Sequence, residues 1–216
     1  MKTKIVSLLL AFGLITNAAI AGNSAKIGYA SDYFYRGAQK SQESIQGSLM
    51  LGHSFGGVNA SAHICSNQAI KSGNDSYHIG GGVAKSFADD LLSAYVGINH
   101  FEDVPGDVLS EVQLTVSSDM VLSPSVSIFR DLDDSLYTFE LNLSHSVETD
   151  LATFNFGGSV GSTELTSSTD RDYHGLSVSA SKSLSENADL SIGFDYVDAD
   201  NIDDELVFGS SISFKF

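Results

Sequence analysis

Phe208-Gly-Ser-Ser-Ile212-Ser-Phe214-Lys-Phe216 closes the chain with large apolar side chains at 208, 212, 214 and 216, all of one parity. Residues of one parity share a face of a β-strand. This segment therefore has one face fit for lipid, while Gly209, Ser211, Ser213 and Lys215 look the other way. Two structures use such a strand: the edge of a soluble sandwich, and the wall of a transmembrane barrel whose outer face meets lipid.

The amino end separates the two. Lys2 and Lys4 precede an apolar run from Ile5 to Ile15, and Ala19-Ile20-Ala21 supplies small residues at cleavage positions. Residues 1–21 read as a signal peptide, which leaves 22–216 as one domain beginning at Gly22. The apolar run is too short for a spanning helix, and no later stretch approaches the roughly 20 apolar residues that one needs. For an exported chain, the closing Phe216 also resembles the signal read by the barrel-assembly machinery of Gram-negative bacteria. Cys65 is the only cysteine, so no internal disulfide can hold the fold.

Without Lys2 and Lys4, 9 basic residues stand against 27 acidic ones, a formal charge of −18. That excludes nucleic acid as a partner, since binding it needs a basic footprint. The 2 prolines and 20 glycines, among many serines, suit strands and tight turns. No linker or composition break divides the chain.

About twelve segments alternate with period two, the pattern of strands with unlike faces. They run approximately 25–35, 44–55, 57–66, 75–87, 91–101, 109–119, 121–130, 136–147, 151–162, 173–184, 189–198 and 206–216. Short turns follow 55, 87, 118, 147 and 184; longer polar joins cover 36–43, 67–74, 102–108, 131–135, 163–172 and 199–205. Short turns alternating with long loops predict an up-and-down antiparallel transmembrane β-barrel in the outer membrane, both termini in the periplasm. Ten or fourteen strands would also fit, because boundaries read this way are good only to a few residues.

One parity of these strands collects Ile45, Leu49, Leu51 and Phe55, then Tyr137, Phe139, Leu141 and Leu143, then Ile192, Phe194 and Tyr196. The other collects Gln46, Ser48, Asn99, Thr138, Glu140, Asn142, Ser179 and Asp195. Lipid outside and water inside follows from the export signal, the terminal Phe and the loop pattern together. The chain has no Trp, so an interfacial girdle would fall to Tyr29, Tyr33, Tyr35, Phe101, Tyr137 and Tyr173.

Ser31-Asp32-Tyr33-Phe34-Tyr35-Arg36-Gly37, with Gln39, Ser41 and Ile45-Gln46-Gly47 behind it, resembles the opening of the TorF-type porin family. This is the Gcw family of uncharacterised proteobacterial outer-membrane proteins, whose first strand reads S-D-Y-x-[FY]-R-G. His63-Ile-Cys-Ser66-Asn67 falls where that family carries a Ser-Asn pair. The resemblance covers residues 28–67 and implies an outer-membrane barrel with pore activity but no particular solute. The chain departs from the pattern at Ala38-Gln39-Lys40 and at His-Ile-Cys.

Asp32, Phe34 and Arg36 share the inward parity of the first strand, so Asp32 and Arg36 are expected to pair in the upper lumen. The pair either ties the first strand to its neighbour or belongs to a solute-filtering constriction. Glu111, Glu140 and Asp195 are the main other inward charges in the strands, and an excess of carboxylates favours cations in a wet pore. Small inward residues such as Ser48, Gly80, Gly82, Gly157, Ser179 and Gly193 favour an open bore; Phe34, His63, His78 and Tyr95 could close it.

An outer-membrane phospholipase would need Ser, His and Asn converging on the outer wall. Ser144-His145-Ser146 and His63-Ile-Cys-Ser66-Asn67 supply the residue types without a motif, so no enzyme and no cofactor is expected. The six histidines show no spacing of metal ligands. Asp131-Leu-Asp-Asp134 and the acidic run from Asp198 to Glu205 lack the ligand spacing of a calcium loop. The chain reads as a porin-like channel for small hydrophilic solutes, its partners being those solutes, outer-membrane lipid and the assembly machinery. A non-conducting structural or adhesion barrel is the alternative.

Overall fold

The computed structural model describes residues 22–200 and 202–216; the expected signal peptide lies outside them. Twelve antiparallel strands close into one barrel, each paired with its neighbours in sequence. They are β1 (Ser24–Tyr35), β2 (Ala38–Phe55), β3 (Val58–Gly73), β4 (Asp75–Phe87), β5 (Leu92–Val104), β6 (Val108–Ser118), β7 (Ser125–Asp131), β8 (Tyr137–Glu148), β9 (Thr153–Thr166), β10 (Thr169–Ser185), β11 (Ala188–Ala199) and β12 (Glu205–Lys215). β1 closes the ring on β12, from Ser24↔Lys215 to Ala30↔Gly209. A closed ring leaves no edge, so the wall's backbone groups are satisfied without water, as lipid requires. Phe216 lies just past β12, where its N–H donates to Asn23 O at 3.1 Å.

Alternation decides which way each side chain points. Ile27, Ile79, Val96, Ile98, Phe139, Phe156, Val160, Phe194 and Phe214 are exposed on the outer wall. Gln46, Asn67, Asn99, Gln113, Thr115, Ser127 and Thr138 are buried inside it. The barrel is thus inverted relative to a soluble sandwich, with the apolar face outside.

The expected contrast in loop length is absent. At the end where β1 begins and β12 finishes, called the terminal end, the joins are 56–57, 88–91, 119–124, 149–152 and 186–187. At the opposite, distal end they are 36–37, 74, 105–107, 132–136, 167–168 and 200–204. The polar stretches 38–43, 67–73 and 163–172, read as loop, are mostly strand. β2 and β10 run 18 and 17 residues, where about 9–11 suffice to cross a bilayer. Beyond the apolar zone the ladder persists, but the outward parity no longer needs apolar residues, and the sequence signal ends before the strand does.

The girdle expectation is also corrected. Tyr33, Phe101 and Tyr173 are buried, and Tyr35 stacks on the inward ring of Phe101 at 4.6 Å between centroids. Of the six aromatics proposed for the outer surface, Tyr29 and Tyr137 remain on it.

Candidate lumenal constriction

The β1–β2 hairpin leaves the wall at its tip and folds into the bore. Pairing of β1 with β12 stops at Ala30↔Gly209. The next group on β12, Phe208 N–H, donates to Ser31 Oγ at 3.0 Å. From there β1 stays paired with β2 alone, as far as Tyr35↔Ala38. Arg36 (φ 49°) and Gly37 (φ 69°) make the turn with both central residues left-handed, the conformation that tight hairpins use. Gly37 is required twice over, since a Cβ there would lie 2.7 Å from Ala199 Cβ and 2.9 Å from Tyr173 Cβ.

The tip fills the distal half of the lumen. Phe34 packs with Ala30 against Val197 of β11 and Val207 of β12. Tyr35 faces Phe101 of β5. Arg36 crosses to the opposite wall, giving two hydrogen bonds to Glu111 of β6, at 2.7 and 2.8 Å. Its guanidinium also lies 4.1 Å from the ring centroid of Phe129 on β7, and Nε is 4.0 Å from Glu140 on β8. Tyr173 of β10 donates to Glu140 at 2.6 Å. Arg36 and Glu111 are 8% and 2% exposed, so this forked pair sits in a nearly dry layer. There a planar guanidinium matches a carboxylate far better than an ammonium would.

The expected pairing of Asp32 with Arg36 does not form. Asp32 instead accepts from Gln39 Nε2 across the hairpin at 2.9 Å. Parity within β1 predicted that both point the same way, but the turn carries Arg36 past the strand's end and over the bore. Glu111 and Glu140 do come together, through Arg36. Asp195 is buried lower in the bore, electrostatically close to Lys26.

The sequence reading missed the second set of charges. Lys40, at a register shift of β2 against β1, pairs with Asp103 of β5 at 2.8 Å. Lys215 pairs with Asp189 at 2.8 Å. Lys26, Lys40 and Lys215 therefore offset much of the acidic bias assigned to the lumen. Lys215 was legible from the parity of the last strand, and Lys26 from that of the first.

Not every small inward residue opens the bore. A Cβ at Gly82 or Gly97 would run into the Tyr95 ring, and one at Gly161 into Tyr173. These glycines are seats for aromatic rings lying flat on the inner wall, an arrangement known to stabilise glycine in sheets. The residues offered for catalysis remain apart: His145 is exposed on the outer face while Ser144 lies on the inner one, and His63 meets His78. Among the described residues no three His, Cys, Asp or Glu side chains gather as a metal site. Asp131 turns its carboxylate onto its own loop, accepting from Asp133 N at 2.8 Å.

The terminal half of the bore is different. A cavity of about 340 Å³ is lined there by Lys26, Thr153, Ser181, Asp189, Ser191, Ser211, Ser213 and Lys215 among others.

No protein-family model and no curated protein matches the sequence. Solved structures do match the fold. The COG4313 outer membrane channel from Pseudomonas putida F1 superposes with a TM-score of 0.64 at 10% identity, over 98% of this chain and 100% of that one. The KdgM porin, solved in complex with disordered oligogalacturonate, gives 0.61 at 12% identity over 89% and 99%. The NanC porin gives 0.58 at 14% identity over 90% and 100%. The fold of this chain is that of the outer-membrane porin and channel barrels.

Proposed function

We propose that the protein is a porin-like channel of the Gram-negative outer membrane, passing small hydrophilic solutes through a bore narrowed by its β1–β2 hairpin. The observation that carries this reading is the inversion of the wall: a polar bore inside an apolar exterior, with a hydrophilic cavity in one half and the inserted hairpin in the other. The porin fold supports the location and an orientation with both termini in the periplasm. Phe216 is assigned to recognition by the assembly machinery. The residues of the TorF-type resemblance, Ser31, Asp32, Tyr33, Arg36 and Gly37, are those of the inserted hairpin, which gives the motif a physical meaning; assignment to that family rests on the motif alone. Preference is assigned to cations. Oligogalacturonate, present with the KdgM porin, is an acidic saccharide; here the inward carboxylates of Glu111, Glu140, Asp103, Asp189 and Asp195 still outnumber Arg36, Lys26, Lys40 and Lys215 by one.

Single-channel recording of the refolded protein in planar bilayers tests the reading. Steps of small conductance, with potassium preferred over chloride, are expected. A folded barrel without conductance would favour the structural alternative, for which the burial of the distal lumen speaks. Deleting Phe216 should leave the chain unassembled in the periplasm, seen as loss of heat-modifiable migration. Cysteines at Asn74 or Ser168 in a Cys65→Ser background should react with impermeant maleimide on whole cells, and one at Asn187 should not.

A further inference from the structure

Two of the six histidines face the lumen, and they meet. His63 on β3 and His78 on β4 are 7% and 6% exposed, with their Nε2 atoms 3.5 Å apart. His53, His100, His145 and His174 are all exposed on the outer side of their strands. The two inward rings are nearly perpendicular, at 72°, with centroids 4.7 Å apart, so they are not stacked. As a hydrogen bond the nitrogen contact is long.

A third donor is aimed at the same place. Asn99 on β5 is 3% exposed, and its amide nitrogen is spent on Gln113 Oε1 at 3.0 Å. That bond fixes the amide orientation and turns Oδ1 toward the His78 ring, its polar neighbour in the bore. The floor beneath these groups is Gly80. A Cβ at Gly80 would clash with Asn99 Oδ1 and lie 2.8 Å from His63 Nε2. Glycine at this register position thus leaves room for Asn99 Oδ1 and His63 Nε2 side by side, with His78 Nε2 3.5 Å from the latter.

We propose that His63, His78 and Asn99 form a binding site for a divalent transition-metal ion of the zinc class in the inner wall of the bore. The nitrogen spacing fits the chemistry, with a turn of each ring to aim both lone pairs at one point. With metal–nitrogen bonds of about 2.0–2.1 Å, nitrogens at the observed separation subtend about 113–122° at the ion, near tetrahedral. Neutral imidazole suits zinc, copper and nickel over magnesium or calcium, which take oxygen ligands. With two strong ligands and one weak one, the site leaves positions for water and holds its ion exchangeably. Binding needs only the folded barrel and does not depend on conductance.

The test is Zn²⁺ titration, by calorimetry, of the untagged refolded barrel in detergent micelles, with heat-modifiable migration confirming the fold of each variant. The wild-type barrel should take up one Zn²⁺ saturably. His63→Ala and His78→Ala should each lower affinity more than tenfold, and Asn99→Ala by a smaller factor. A His100→Ala/His174→Ala variant, changed only on the outer wall, should bind as wild type does. Co²⁺ should give a visible tetrahedral spectrum without a thiolate charge-transfer band, and Cys65→Ser should leave it unaltered. Absence of saturable binding by the wild-type barrel would overturn the proposal. So would unchanged affinity in folded His63→Ala and His78→Ala variants, or a thiolate band pointing to Cys65.

Discussion

The two halves of the bore are built from different materials. The terminal half is lined by serine, threonine and paired ends of long charged side chains, and encloses a hydrophilic cavity. The distal half is filled by Tyr33, Phe34, Tyr35, Arg36 and Gly37, which together meet seven of the strands around them. The wall has the same alternating construction in both halves, so wall composition does not set the width of the passage. One hairpin that leaves the ladder early does. Its position is held by a buried forked ion pair, which is specific in geometry but costly to desolvate.

Removing the tip should have the largest effect. A Tyr33→Ser/Tyr35→Ser/Arg36→Gly variant takes away the two rings and the crossing guanidinium while keeping a left-handed turn residue. Single-channel conductance is expected to rise severalfold. Unchanged conductance would move the limiting constriction to the terminal half and reverse the comparison.

Breaking the clamp comes next. Glu111→Gln leaves the buried Arg36 charge without its forked partner, and removing one partner of a buried pair costs about 3–5 kcal/mol. Glu140 remains beside Arg36, so the loss should fall at the lower end of that range. It should appear as a lower temperature of heat-modifiable unfolding. Arg36→Lys should not rescue stability, because an ammonium cannot make the forked contact. Lys215→Ser, which removes a pair whose Lys side chain is 66% exposed, should leave that temperature nearly unchanged.

The wall was legible because lipid imposes a rule on every second residue. Phe154 and Phe156, Ile192 and Phe194, and Phe214 all sit where period-two alternation puts them. The rule lapses outside the apolar zone, which is why residues 38–43 and 163–172 read as loops though they continue the ladder. The lumen was half legible. Parity placed Glu111, Glu140 and Asp195 inside, but which charge meets which across a closed ring depends on strand stagger and on where β1 abandons β12. Arg36 and Glu111 lie 75 residues apart, and no local pattern couples them. The meeting of His63 with His78 was closer to hand, given the Cys65↔His78 register of neighbouring strands. Reading it required the strand lengths first.

The smallest expected effect concerns ion selectivity, and it sharpens the contrast between bore and rim. Screening at physiological salt reaches about 8 Å, so acids in the 200–204 join should contribute less than acids facing the passage. Glu111, however, is already neutralised by Arg36, so Glu111→Gln exposes a positive charge at the constriction. Glu140→Gln removes a carboxylate only partly engaged by Arg36 and Tyr173. Under a salt gradient, both single variants should shift the reversal potential toward chloride, and the double variant should shift it further. Asp203→Asn/Asp204→Asn should shift it less than either. If the rim variant had the larger effect, the charge that selects ions would lie outside the hairpin layer, and the distal constriction would act on solute size alone.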